Sequence, residues 1–211
     1  TILITGSNGM LGRSFQEALS DTPECQILAL GREELNITER ENVLEFSAMN
    51  PGIIIHCAAY VNAEGCEENP DLCRAVQIEG SRNVADLAAN VGAKILYPQS
   101  FLIFDGKTNP ITEETQPAPQ SVYGRCKLEG EEIIRAACPD AIIVRMAGFF
   151  GGEEKDKNFV GKFVHHLRHL IETETKTFDV GDRVWQPTYT LDLARNCVAL
   201  LAAEKSGIFT M

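Results

Sequence analysis

The first twenty residues constrain the fold more than any other stretch. Ile2-Leu3-Ile4-Thr5 is a short apolar run of the kind that forms a buried strand. Glycines follow at positions 6, 9 and 12, and Arg13 to Ser20 places Phe15, Ala18 and Leu19 on one helical face. Strand, glycine turn and helix in that order make a corner where backbone can approach a pyrophosphate closely. The helix that starts there offers free N–H groups and the positive end of its dipole. The spacing is Gly-x-x-Gly-x-x-Gly, not the commoner Gly-x-Gly-x-x-Gly, and a corner with glycines for packing alone is the competing reading.

The rest of the chain repeats the alternation. Strands are expected at 2–5, 26–30, 53–57, 94–97 and 141–145, with helices at about 10–20, 38–49, 70–91 and 121–137. Thr38 and Glu41 form a capping pattern for the second helix, and Asn69-Pro70 opens the third. This order predicts an α/β fold, a doubly wound parallel sheet of Rossmann type. Residues 1–148 are read as the dinucleotide-binding domain. Residues 149–211 are read as a mixed region that completes the sheet and begins a smaller C-terminal substrate lobe. In it, helices are expected at 158–171 and 191–203, and a strand at 207–211. The loop 105–120 carries three prolines and stands before Tyr123, where it can shape a substrate mouth.

Two clusters carry chemistry. After the second strand comes Gly31-Arg32, with Arg32 twenty positions beyond Gly12. An acid there would favour the free ribose hydroxyl of NAD, whereas an arginine accommodates the phosphate of NADP. NADPH is therefore expected, with NADH also open because Glu33 and Glu34 follow. Tyr123 and Lys127 lie four apart in a helix and so share a face. A carbonyl accepting hydride needs a proton, and tyrosine, with an ordinary pKa near ~10, is a poor acid until a neighbouring ammonium lowers it. Ser100, after the strand Lys94-Ile95-Leu96-Tyr97, is placed to hold the carbonyl oxygen.

At these residues the chain resembles the extended short-chain dehydrogenase/reductase family and, within it, the dTDP-4-dehydrorhamnose reductases. The stretches that carry the likeness are ITGSNGMLGR, HCAAYVNAEGCEENP, FDGKTNPITEETQPAPQSVYGRCKLEGE and QPTYTLDLA. The resemblance implies a catalytic set of Ser100, Tyr123 and Lys127. It implies that Gly6, Gly9, Met10, Leu11 and Gly12 hold the pyrophosphate and that Asn36 and Ile37 lie near the adenine. It implies further that Cys57, Ala58, Ala59 and Tyr60 run along the cofactor. Tyr123 and Lys127 would touch the cofactor as well, Lys127 at the nicotinamide ribose. The implied reaction is reduction of dTDP-4-dehydrorhamnose to dTDP-rhamnose, with a nucleotide sugar as substrate, and the resemblance allows a homodimer.

Two departures stand out. The family has Ser-Thr-Asp-Tyr-Val where this chain has Gln99-Ser100-Phe101-Leu102-Ile103, and Arg-Thr-Ser-Trp where it has Arg145-Met146-Ala147-Gly148. A related branch, the regulatory subunit of methionine adenosyltransferase, keeps fold and cofactor site while serving as a partner protein, and that is the alternative function. The family runs several tens of residues past the point matching Met211, and no initiator methionine opens the chain, so both ends are expected to extend.

Composition excludes other classes. A net charge of −11 over 211 residues argues against nucleic acid as partner. No apolar run has the length of a membrane helix. Seven cysteines with no Cys-x-x-Cys suit a reducing cytoplasm, with Cys57, Cys126 and Cys197 as small buried hydrophobes. His165, His166 and His169 beside Glu172 imitate a metal site, but a solvated helix face is the better reading and no metal is expected. Glu67, Glu68 and Asp71 read as an acidic helix start. Trp185 and Tyr189 read as packing residues with a minor claim on a substrate wall.

Overall fold

The structure is a computed structural model, and it describes all residues except 21, 23, 153–155, 157, 178–180 and 182–185. Its centre is a six-stranded, wholly parallel sheet built from β1 (Ile2–Thr5), β2 (Ile27–Leu30), β3 (Ile53–His56), β4 (Lys94–Ser100), β5 (Ile142–Met146) and β8 (Gly207–Thr210). The order is β2-β1-β3-β4-β5-β8. The chain leaves β1 toward β2 on one side, then returns to β3 on the other, so the switch point opens beyond the carboxyl ends of β1 and β3.

Strand residues alternate between two cores because successive side chains point to opposite faces. Ile2 and Ile4 join Phe15 of helix α1 (Met10–Ala18) and Leu193 and Cys197 of helix α8 (Thr190–Ala202). Leu3 and Ile54 join the other face. There they meet Val43 of α2 (Arg40–Glu45), Val84 and Leu87 of α5 (Gly80–Val91), and Ile134 of α6 (Val122–Ala137). A third cluster joins Cys66 of α3 (Ala63–Glu68), Cys73 of α4 (Pro70–Arg74), Ile78, Tyr123 and Cys126. Residues 149–211 also hold the parallel pair β6 (Phe149–Phe150) and β7 (Thr188–Tyr189), and the helix α7 (Phe159–Glu172).

Four local expectations are corrected. The helix expected from 38 to 49 begins at Arg40, and its last four residues, 46–49, tighten into a 3₁₀ turn. Thr38 does not cap it; its hydroxyl donates to Asn36 Oδ1 at 2.9 Å, and Glu39 stands at the cap position without a side-chain bond. The helix expected over 70–91 passes through a π-helical stretch at Ala75–Glu79 between α4 and α5. Its start is as expected, since Asn69 Oδ1 accepts from Leu72 N at 3.1 Å. Of the expected acidic helix start, Asp71 does lie in the first turn of α4, but Glu67 and Glu68 close the preceding helix α3.

Strand β4 is longer than expected and ends at Ser100, running through Pro98. Proline is admitted because β3 stops pairing at Leu96, so no partner on that side asks for its missing N–H.

Candidate active site

A cleft of about 970 Å³ lies at the switch point. Gly6, Gly9, Met10, Leu11, Gly12, Arg32, Asn36, Ile37, Cys57, Ala58, Ala59, Tyr60, Ser100, Tyr123 and Lys127 all line it. Every residue read from sequence as catalytic or cofactor-binding therefore lines one cavity, although they come from positions 6 to 127.

The glycine corner closes the floor. Gly6 has φ +64°, and a Cβ there would stand 2.7 Å from the backbone of Ala58. A Cβ at Gly12 would stand 2.8 Å from Ser7 Cα. Backbone therefore packs on backbone. Helix α1 has Gly9 at its cap position, with no side-chain cap and no acid in its first turn, so its leading N–H groups are free to meet an anion. This cradle fits a pyrophosphate.

At the far end, Arg32 is exposed beside Asn36 and Thr38. Arg13 joins it, held by a bond from Nη1 to the Asn8 carbonyl at 2.9 Å. Sequence reasoning missed Arg13; its place directly after the last glycine was the available signal. Glu34 is exposed but engaged by its own loop, its Oε2 accepting from Gly31 N at 2.9 Å. Two guanidinium groups and an engaged carboxylate favour a phosphate over a bare ribose diol.

The middle of the cleft rests on His56, missed from sequence and 2% exposed. Thr5 Oγ1 accepts from Ala58 N at 3.1 Å, so its own proton goes to His56 Nδ1 at 2.8 Å. The ring proton then sits on Nε2, which faces Ser81 Oγ at 3.3 Å. Burial, aided by the Lys127 charge, pulls the ring down to about 3, so His56 is neutral and serves to fix the Ala58 backbone. Burial, with Cys197 adding, pushes the neighbouring Cys57 thiol well above its ordinary range.

Ser100, Tyr123 and Lys127 line the same cleft. Ser121 caps α6 by accepting from Gly124 N at 3.0 Å, and Glu67 Oε1 accepts from Val122 N at 2.6 Å, so the helix start that bears Tyr123 is fastened twice. The Ser100 hydroxyl accepts from Leu102 N at 3.2 Å, and its proximity favours the ionised form of Tyr123.

The electrostatics correct the expected tuning. Burial pushes the Tyr123 phenol up to about 12, against the lowering effect of Ser100. The Lys127 ammonium does not reverse this; Nζ donates to the Pro98 carbonyl at 3.0 Å and lies 3.8 Å above the Tyr97 ring. Burial pulls Lys127 itself down to about 7, with Glu131 and then Cys57 acting the other way.

The two departures from the family lie in the same place. Phe101 is 38% exposed at the rim, and Met146, Ala147 and Gly148 line the adjoining wall. Tyr189 is exposed and packs against Phe150 at 5.5 Å, outside this cleft, while Trp185 lies outside the described residues. His165 faces a second cleft between α1 and α7. Among the described residues no group of three His, Cys, Asp or Glu side chains is arranged to hold a metal, and no helix is long and apolar enough to cross a membrane.

Comparisons with known proteins agree with this geometry. The chain is 34% identical over 213 residues to a dTDP-4-dehydrorhamnose reductase of Mycobacterium tuberculosis, covering 98% of this chain and 66% of that one. It is 36% identical to the Streptomyces griseus reductase of the same name, over 97% of this chain and 66% of that one. The chain thus spans just under two thirds of these relatives' length. The crystal structure of a dTDP-4-dehydrorhamnose reductase from Clostridium acetobutylicum superposes with TM-score 0.90 at 36% identity, covering 100% of this chain and 73% of that one. A Bacillus anthracis dTDP-4-dehydrorhamnose reductase solved with NADP gives TM-score 0.86 at 30% identity, with the same coverage of 100% and 73%. Residues 1–210 match the model of the RmlD substrate binding domain, and the chain belongs to that family.

Proposed function

We propose that the protein reduces the keto group of a nucleotide-activated 4-keto sugar, dTDP-4-dehydrorhamnose to dTDP-rhamnose, with NADPH preferred and NADH as the alternative donor. The observation that carries this reading is the convergence of Ser100, Tyr123 and Lys127 with the uncapped glycine corner on one cleft. The kinship with named reductases supports it, as does the NADP complex of the Bacillus anthracis relative.

A nicotinamide cofactor, when bound, supplies the hydride. Gly6, Gly9, Met10, Leu11 and Gly12 would hold its pyrophosphate through backbone N–H groups. Arg32, with Arg13, would take the ribose phosphate, and Asn36 and Ile37 would border the adenine. Cys57, Ala58, Ala59 and Tyr60 form the wall along which it would lie, with Lys127 at the nicotinamide ribose. Ser100 Oγ orients the substrate carbonyl, and Tyr123 Oη gives its proton to the carbonyl oxygen. A phenol raised to about 12 stays protonated at neutral pH, the state a donor needs, but it releases that proton reluctantly. A charged Lys127 beside the developing anion offsets part of that reluctance. Residues 1–148 carry the cofactor machinery in this reading, and 149–211 close the sheet and open the substrate lobe.

The test is NADPH oxidation by the full-length protein with dTDP-4-dehydrorhamnose. Consumption that disappears in Tyr123→Phe supports the reductase. The regulatory-subunit alternative draws on Phe101, which puts an exposed aromatic where the family has an acid. NADPH binding without consumption, together with a stoichiometric complex with another protein, would favour it. Cytoplasmic residence is inferred from the seven free thiols. A homodimer is open to sedimentation measurement.

A further inference from the structure

Tyr123 is the second residue of α6 and stands in its first turn, where backbone N–H groups have no partner within the helix. Two of them find side-chain acceptors. Gly124 N donates to Ser121 Oγ at 3.0 Å, and Val122 N donates to Glu67 Oε1 at 2.6 Å. The two bonds differ in kind. Ser121 belongs to the same turn, so its bond shapes the helix start without locating it. Glu67 lies on α3, 55 positions away, so its bond fixes where α6 begins.

Helix α3 is a firm anchor. Asn62 caps it by accepting from Gly65 N, and Cys66, beside Glu67, is wholly buried in the cluster that also holds Tyr123 and Cys126. Another contact of the α6 start is backbone on backbone. A Cβ at Gly124 would collide with the Leu102 carbonyl oxygen. Leu102 belongs to the 3₁₀ turn that follows Ser100, and its N–H donates to Ser100 Oγ at 3.2 Å. One run of direct contacts therefore leads from Glu67 through Val122 and Gly124 to Leu102 and Ser100, and Tyr123 stands between Val122 and Gly124. Glu67 itself is exposed and does not line the cleft, so it can act on the reaction only through the helix it holds.

We propose that Glu67 is a positioning residue for Tyr123. By holding Val122 N it seats the first turn of α6 on the Leu102 carbonyl and so sets the place of the phenol relative to Ser100. Its meaning for catalysis rests on the reductase reading; its hold on the helix start does not.

The test compares three substitutions in the full-length protein. Glu67→Ala removes the acceptor, and Glu67→Asp keeps the charge but falls short of Val122 N. Both should lower kcat about tenfold, the scale of a small misplacement of a reacting group. NADPH affinity should stay within about twofold, because the cradle is untouched. Glu67→Gln keeps an acceptor oxygen at the same reach and should restore kcat to within about twofold of wild type. In a Tyr123→Phe background, where the donor is already gone, Glu67→Ala should slow the residual rate no further. Unchanged kcat in Glu67→Ala overturns the proposal, as does an equal loss in Glu67→Gln or an equal loss in the Tyr123→Phe background. Glu67→Asp serves if Glu67→Ala does not fold. Tyrosine carbon-13 labelling reads the same hold without substrate, with Tyr123→Phe assigning the signal. The Tyr123 ring signal should shift in Glu67→Ala and return in Glu67→Gln, and an unmoved signal overturns the proposal. A signal that moves in this way in a protein that consumes no NADPH with any keto sugar sustains the positioning and overturns the reductase reading instead.

Discussion

Replacing Gly12 by alanine sets two effects of opposite sign against each other. Gly12 lies in the first turn of α1, where alanine is the better helix former by about 1 kcal/mol. Propensity alone therefore predicts a more stable protein. The structure predicts the reverse, because the new methyl would stand 2.8 Å from Ser7 Cα and press on the Gly6 carbonyl as well. Both obstacles are backbone, and backbone gives less than a flexible side chain. Overpacking of this kind costs about 1–3 kcal/mol, here toward the upper end. The net expectation is destabilisation by about 2 kcal/mol, or a Tm lower by about 4–8 °C for a chain of this size. The displaced corner should also lose its grip on pyrophosphate, weakening NADPH about tenfold or more. Urea unfolding followed by circular dichroism reads the first quantity, and titration calorimetry with NADPH reads the second. Gly9→Ala is the internal control. Its methyl would meet only the Gly6 carbonyl at 3.2 Å, and the cost should stay below about 1 kcal/mol. A Gly12→Ala protein at least as stable as wild type, with unchanged NADPH affinity, would refute the claim that backbone packing shapes this corner.

Three further outcomes are expected. Tyr123→Phe should lower turnover by about 10²–10⁴-fold while leaving NADPH affinity within about twofold, measured by steady-state kinetics and calorimetry. Arg32→Ala, and more so with Arg13→Ala, should weaken NADPH and spare NADH. Because both groups are exposed, the NADPH preference should shrink as salt rises. The third concerns pH. His56 is held near 3 when folded, below its ordinary value of 6.5. The unfolded chain therefore binds the extra proton first, and the stability from the neutral ring is complete above about 6.5 and lost as pH falls toward 3. Denaturation midpoints across that window should fall more gently in His56→Asn than in wild type; equal slopes would show that His56 does not titrate with unfolding.

Much of the sheet was legible because its strands are apolar runs short enough to read directly, and because they alternate with helices. Ile2–Thr5 and Ile53–His56 needed nothing beyond composition and order. Short elements were harder. Helix α3 is six residues with a central glycine, and nothing in Ala63–Glu68 separates it from a polar loop. Its helicity comes from Asn62, which caps it by accepting from Gly65 N at 3.1 Å, and from Cys66 buried beneath α6. Thr38 and Glu41 made a plausible cap by spacing, but Asn36 claimed the threonine hydroxyl first. Competition among nearby acceptors is decided by geometry that spacing does not carry.

The same division runs through the site. The glycine corner and the Tyr123–Lys127 pair are local patterns, one set by the turn and the other by helical pitch, so the sequence by itself determined them. Their meeting with Ser100, Arg32 and Ala58 in one cleft depended on strand order, which brings the carboxyl ends of β1, β3 and β4 side by side. The charges depended on more. The Glu131 partners stand 32 and 14 positions away, at Gln99 and Arg145, on separate strands. The raised phenol of Tyr123 and the lowered ammonium of Lys127 follow from burial, which no spacing of residues reveals. A residue's type sets what it can protonate or bond; the removal of water around it, settled only when the sheet and helices close, sets whether it does.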